Sequence, residues 1–246
     1  MESESDFLIV DMGLGRIIYL SKPTLAPVRT ARIPGVPSGA EPVAFPDGSY
    51  VMWASIRTRR SAGYGLHHVS MDGTVLNSFG PPPGSGSPDL AASGDSAVWI
   101  GYDDYRLERW SLDGELLDVL LRKADWVRPR GDAPEEGEDY SFLSGFSEDR
   151  VGRLWVLTVR SRYGSIPTRV GMGAAGDEES IIEVLDPSNG TLIASLWDPK
   201  RREWAVPGQG FFTAEARESP EGIIFTDIWT FQMDPGGSHP SHREIP

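Results

Sequence analysis

The strings SMDGTVLNSF (70–79) and SLDGELLDVLL (111–121) limit the fold most, because each sets a hydroxyl residue, an apolar residue and Asp-Gly ahead of an apolar run. Their aspartates, Asp72 and Asp113, stand 41 residues apart. Asp-Gly between apolar alternations is a hairpin signal, since glycine supplies the positive φ of a tight turn. The flanking segments repeat with it. PVAF (42–45), PDG, SYVMWASI (49–56), RTRRSAGYG, LHHVSM (66–71), DG and TVLNSF (74–79) read as four short strands with their turns. DLAA (89–92), SGD, SAVWIGY (96–102), DD, YRLERWSL (105–112), DG and ELLDVLL (115–121) read as the same four. A chance echo of one turn would not carry its neighbouring strands along.

A looser third unit runs through SGF (144–146), EDRVG, RLWVLTV (153–159), a long insertion, SIIEVLD (180–186), PSNG and TLIASLW (191–197). FLIV (7–10), RIIYL (16–20) and VRTARI (28–33) precede the first unit, and GFFTAEA (210–216) and GIIFTDIWTF (222–231) follow the third. No sustained helical period interrupts this pattern, so the chain is predicted to be all-β. Four strands every 40 to 50 residues or so predict a β-propeller of four-stranded antiparallel blades, with about four to five blades visible. One twisted sheet cannot bury both faces alone, so each blade needs a neighbour on either side. Trp53, Trp99 and Trp155 recur in second strands and are expected between blades. A single domain is expected over 6–235, with a mobile tail over 236–246. PPPGSGSP (81–88) and RPRGDAPEEGED (128–139) read as coil.

Composition narrows the partners. A formal net charge of -13 opposes nonspecific attraction to nucleic acid and to anionic membrane surfaces. The absence of cysteine excludes disulfide scaffolds, thiol catalysis and Cys-ligated metal. No run approaches the roughly 18 apolar residues of a membrane helix, so a soluble protein without membrane insertion is expected. The opening MESESD lacks the features of a signal peptide.

With the repeats in place, the chain resembles the six-bladed propellers of the NHL and TolB-like group. The resemblance is carried by AFPDGSYVMW (44–53), FLIVDMGLGRIIYLS (7–21) and the pieces ending in SMDG, SLDG and DPSNG. It implies six blades, of which roughly one to one and a half are absent here; either the N-terminal strands complete the last blade and close the ring, or the N-terminal portion is incomplete, which the resemblance favours. Relatives with this look are often exported in bacteria, so periplasmic or extracellular placement follows if the N-terminus is truncated. Trp197-Asp198 is unrepeated and has no Gly-His partner, which disfavours a WD40 protein.

Propeller ligands sit where the loops between strands two and three, and between blades, surround the channel. Those loops are expected to hold Arg57, Arg59, Arg60, Tyr64, Asp103, Asp104, Tyr105, Arg160 and Arg162 as ligand-binding residues. Arginine forks can hold a carboxylate, a phosphate or an acidic peptide, and tyrosine supplies flat contact area. Ordinary solvated loop charge is the competing reading. Asp103-Asp104 is either a tight turn or part of a divalent-cation site. A lactonase of the gluconolactonase or regucalcin type resembles the fold, yet its ligands include Asn, and Asn77 and Asn189 both fall in outer hairpins. His67-His68 opens a third strand, where alternation sends the rings to opposite faces, one buried and one exposed. No G-x-S-x-G elbow is present, and VGMGAAG (170–176) lacks a βαβ context. The sequence therefore leans away from an enzyme and from any cofactor. It favours a noncatalytic scaffold for an unknown protein, peptide or small anionic ligand, with a metal-dependent hydrolase or lactonase in the channel as the alternative.

Overall fold

The computed structural model describes residues 7–11, 14–21, 24–37, 42–56, 58–82, 88–124, 127, 139–162, 179–199, 203–205, 211–218 and 224–231. Among these residues every regular element is a strand, and no helix is long and apolar enough to cross a membrane. The strands form five antiparallel sheets in chain order. The first holds β1 (Phe7–Asp11), β2 (Arg16–Leu20) and β3 (Pro27–Arg32). In the second, β4 (Val36–Pro37) and β5 (Val43–Ala44) share one edge of β6 (Tyr50–Ser55), followed by β7 (Leu66–Val69) and β8 (Val75–Phe79). The third runs β9 (Asp89–Ser93), β10 (Ala97–Tyr102), β11 (Arg106–Ser111) and β12 (Leu116–Leu121). The fourth runs β13 (Asp139–Glu148), β14 (Leu154–Arg162), β15 (Glu179–Leu185) and β16 (Leu192–Asp198). The fifth holds β17 (Glu203–Ala205), β18 (Phe211–Glu218) and β19 (Ile224–Phe231).

The second strands β6, β10 and β14 are buried on both faces, which is why each reads as a near-continuous apolar run. In β6, Tyr50, Met52 and Ala54 pack with Ile17, Tyr19 and Ala31 of the first sheet. Val51 and Trp53 point the other way, onto Val98, Ile100 and Tyr102 of the third. In β10, Trp99 turns toward Leu143, Phe146, Leu154 and Val156 of the fourth sheet. Trp53 and Trp99 thus both face the following sheet, as expected of inter-blade core. Trp99 has no exposed surface, and burying a side chain of that size contributes on the order of 3 kcal/mol. First strands of consecutive sheets lie side by side, β5 by β9, β9 by β13 and β13 by β17. Sheets stacked face to face with their first strands adjacent are blades around an axis.

The outer hairpin glycines explain the sequence echo. Gly73 and Gly114 have φ of +86° and +89°, which the turns between strands three and four require. A Cβ on Gly73 would stand 2.7 Å from the carbonyl oxygen of Arg32, the last residue of β3. A Cβ on Gly114 would stand 2.9 Å from Cβ of Phe79, the last residue of β8. Each Asp-Gly turn thus abuts the outer strand of the preceding sheet. The contact at Arg32 places β3 as a fourth strand, so the first sheet supplies strands two to four.

Three boundaries differ from the sequence reading. β13 starts at Asp139 and not near Ser144, so it pairs β14 through Arg162. β4 and β17 are additions to it, being two and three residues long with no period to read. The tail over 236–246 and residues 128–138 of the acidic insertion lie outside the described residues.

Candidate functional site

Antiparallel order fixes which connections share a face. The ends of strands two and three that flank 58–65 and 103–105 lie on the same side as the ends of the outer strands at Arg32, Phe79 and Leu121, from which the chain passes to the next sheet. Links between strands one and two, and between three and four, lie at the other end. Most of the expected site residues fall on the first face. Arg57 and residues 163–178 lie outside the described residues.

The 56–65 loop is held by its own backbone. Ser61 N and Ala62 N donate to the carbonyl oxygen of Thr58 at 3.2 and 2.9 Å, and Ser61 N also lies 3.2 Å from Thr58 Oγ1. Gly65 N donates to Pro81 O at 2.8 Å, and Ala54 N donates to Gly65 O at 2.9 Å. Gly65 has no room for a side chain, because a Cβ would stand 2.4 Å from the Trp53 ring. Buried Ser61 anchors the turn, while Arg59 and Arg60 are exposed and Tyr64 keeps 43% of its surface. Neither arginine forms an ion pair with a described residue. Two uncompensated guanidiniums on a braced turn, in a chain of net charge -13, form a local positive point on an acidic molecule.

The 103–105 connection is a tight turn closed by Tyr105 N donating to Tyr102 O at 3.0 Å. Asp103 is exposed, and Asp104 Oδ1 is buried without a hydrogen bond. Among the described residues no group of three or more His, Asp or Glu side chains is placed to hold a metal ion.

Tyr105 departs from the sequence expectation. It is 2% exposed, with φ of +56°, and that left-handed backbone turns the side chain inward. Its hydroxyl donates to Glu183 Oε2 at 2.7 Å, so its ring is core and not a flat contact surface. Burial first, and then Glu183, push the Tyr105 pKa well above that of ordinary tyrosine. Arg122 completes the cluster, its Nη2 3.1 Å from Glu183 Oε1 and its Nε 3.3 Å from Oε2. Arg160 and Arg162 also depart from expectation, because both belong to β14, paired with Ser141 and Asp139, and not to a loop. Arg160 stacks over Trp197, 5.5 Å from the ring centroid, with Nη1 3.9 Å from Glu179 Oε2. The Arg162 side chain lies outside the described residues.

Carboxylates at the sheet contacts, Glu108 and Glu183 buried and Glu148 half-buried, are the residues the sequence reading passed over. Glu148 Oε2 accepts from Ser93 Oγ at 2.6 Å and Trp99 Nε1 at 2.7 Å, tying the third sheet to the fourth. Glu183 ties the same two sheets through Tyr105 and Arg122. Glu108, 5% exposed, accepts from Tyr102 OH at 3.2 Å and Trp110 Nε1 at 3.0 Å. Glutamate inside the apolar runs RLERW and SIIEVL is the signal that marks Glu108 and Glu183. The histidines follow expectation more closely, with His67 fully buried and His68 half-buried. His67 lies 3.0 Å from Ala54 O and 2.9 Å from Ser78 Oγ, and His68 lies 2.9 Å from Ser49 Oγ.

No family model and no curated protein matches the sequence. Solved structures do match in shape. A hydrazine synthase chain of Kuenenia stuttgartiensis aligns with a TM-score of 0.53 and 8% identity, covering 95% of this chain and 61% of that one. A candidate exported protein of Bacteroides fragilis aligns with a TM-score of 0.52 and 10% identity, covering 87% of this chain and 64% of that one. The chain thus spans less than two thirds of either structure. Likeness at such identity speaks to the fold alone, and together with the stacked antiparallel sheets it makes this chain an all-β protein of β-propeller blades.

Proposed function

We propose that the chain is a noncatalytic binding scaffold that captures a protein, peptide or small anion on the loop face around the propeller axis. The observation that carries this reading is the braced 56–65 turn, which presents Arg59 and Arg60 to solvent with no acidic partner among the described residues. Guanidiniums bind carboxylate and phosphate oxygens in pairs, and pre-ordering them lowers the entropy lost on binding. Tyr64 adds an amphipathic ring beside them. The test is calorimetric titration with inorganic phosphate and, separately, with an acidic peptide. The Arg59→Ala/Arg60→Ala variant should bind the responsive probe at least about tenfold more weakly. Its unfolding free energy should stay within about 0.5 kcal/mol of the parent, as for other exposed positions. Equal binding by parent and variant, or no binding of either probe, removes this face from consideration.

We further infer a six-bladed ring of the NHL and TolB-like kind in an exported protein. The Asp-Gly turns seated on preceding outer strands support the ring, and the Bacteroides neighbour described as exported is in keeping with the compartment. An experimental structure of the full natural protein with any other blade number would overturn the ring.

A further inference from the structure

We propose that the cleft between the end of β3 and the Asp72-Gly73 turn is a second binding site, which takes a small zwitterion of the amino-acid class, a free amino acid or a short peptide. Arg32, Ile33, Pro34, Gly35, Asp72 and Gly73 line it around a volume of about 530 Å³. That volume lies within the roughly 300 to 1,000 Å³ of small-molecule sites. The lining shares no residue with the turn that carries Arg59 and Arg60, so this site stands apart from the proposed anion site.

Two glycines shape the walls. A Cβ on Gly35 would stand 2.6 Å from Ile56 Cγ1 and 2.9 Å from Ser55 O, so the glycine lets the chain beyond β3 lie against the end of β6. Gly73 seats on the carbonyl oxygen of Arg32 in the same close manner. One sheet later, Gly114 meets Phe79, whose ring is 3% exposed and belongs to the core. Arg32 holds the matching last position of β3 and is exposed. A guanidinium therefore borders this contact where the next pair of sheets buries a ring.

The two charged groups of the cleft have opposite sign, and neither neutralises the other. Asp72 Oδ1 accepts from Ser70 Oγ and, at 3.1 Å, from Thr74 N, which fixes the carboxylate on its turn. Those hydrogen bonds, with Arg29 a weaker cause, hold the Asp72 carboxyl down at about 2, so it is ionised at neutral pH. Among the described residues neither Asp72 nor Arg32 forms an ion pair. A simple anion entering the cleft would meet Asp72, and a simple cation would meet Arg32. A divalent metal ion would find one carboxylate where it needs several oxygens. A molecule with both an ammonium and a carboxylate suits both walls. The guanidinium donates two parallel N–H bonds to its carboxylate, and Asp72 accepts from its ammonium. Pro34 adds an apolar wall beside them.

The test is calorimetric titration of the full chain with L-alanine, dialanine and trialanine, and with the N-acetyl and C-amide forms of whichever binds best. At least one uncapped probe should bind with a Kd on the order of 1 mM or below, and its length separates a free amino acid from a peptide. Each capped form should bind at least about tenfold more weakly. Arg32→Gln should erase the difference between acid and amide. Asp72→Asn, which keeps an acceptor for Ser70 and Thr74, should erase that between amine and acetylated amine. Arg59→Ala/Arg60→Ala should bind the probe as the parent does. Failure of every uncapped probe to bind at about 10 mM would overturn the proposal. So would capped probes that bind the parent as tightly as uncapped ones, a comparison that needs no variant to fold. A loss in Arg59→Ala/Arg60→Ala equal to that in Arg32→Gln would overturn it as well.

Discussion

At the scale of single residues, the Asp-Gly turns show why two similar glycines can differ in what they contribute. Gly94, between strands one and two of the third sheet, has φ of +57°, and a Cβ added there would meet nothing within 4 Å. Gly114 has φ of +89° and the Phe79 Cβ at 2.9 Å. Alanine at Gly94 bears only the left-handed backbone cost, about 1 kcal/mol. Alanine at Gly114 adds a clash with the base of a buried side chain, which cannot rotate away. Gly114→Ala should therefore lose about 2 to 3 kcal/mol in urea unfolding, and Gly94→Ala about 1. Equal losses would mean that the seat against the preceding sheet contributes nothing. The aspartates of these turns are also fixed. Hydrogen bonds from Ser70 and then Thr74 lower the Asp72 carboxyl to about 2, and Ser188 lowers Asp186 in the same way.

At the scale of elements, stability is concentrated where sheets meet, and the Glu183 cluster tests that. Glu183 is 2% exposed and bonded to Tyr105 from the third sheet and to Arg122 from the link that follows it. Glu183→Ala strands a buried hydroxyl and a part-buried guanidinium, with an expected loss of about 3 kcal/mol by denaturant titration. Tyr105→Phe, which removes one hydrogen bond but keeps the ring, should lose about 1. The strands themselves were legible, because β6, β10, β14 and β15 are apolar runs bounded by Gly, Asp and Pro. β4 and β17 were not, since two or three residues carry no period. Glu183 and Arg122 are 61 residues apart, and nothing local announces that contact. The inward turn of Tyr105 was hidden for a different reason, since its positive φ reverses the direction that alternation assigns. Of the expected site, the exposure of Arg59, Arg60 and Tyr64 was readable from the polar, glycine-containing loop. The strand placement of Arg160 and Arg162 was not, because it depends on how far β13 extends.

At the scale of the whole molecule, the net charge of -13 and the histidine pair pull the pH dependence in opposite directions, and magnitude decides between them. The 36 Asp and Glu residues stay largely ionised until pH approaches 4 to 5 or so, so acidification relieves little self-repulsion above that range. Burial lowers the pKa of His67, and it lowers His68 despite the opposing pull of Asp47 and Asp113. A carbonyl only accepts, so His67 Nε2 carries the proton donated to Ala54 O, and Nδ1 is left to accept from Ser78 Oγ. A second proton would place charge on a ring with no exposed surface. In the unfolded chain both histidines titrate near 6.5, above their folded values. Their contribution is therefore fully present above pH about 6.5 and is lost as pH falls through the lower folded pKa. The limiting slope is about 1.4 kcal/mol per pH unit for each histidine. The melting temperature should fall from pH 7.5 to 5.5 or so, before carboxylates begin to protonate, and should fall less in His67→Gln. A melting temperature that rises over this range would show that relief of the acidic self-repulsion outweighs both buried rings.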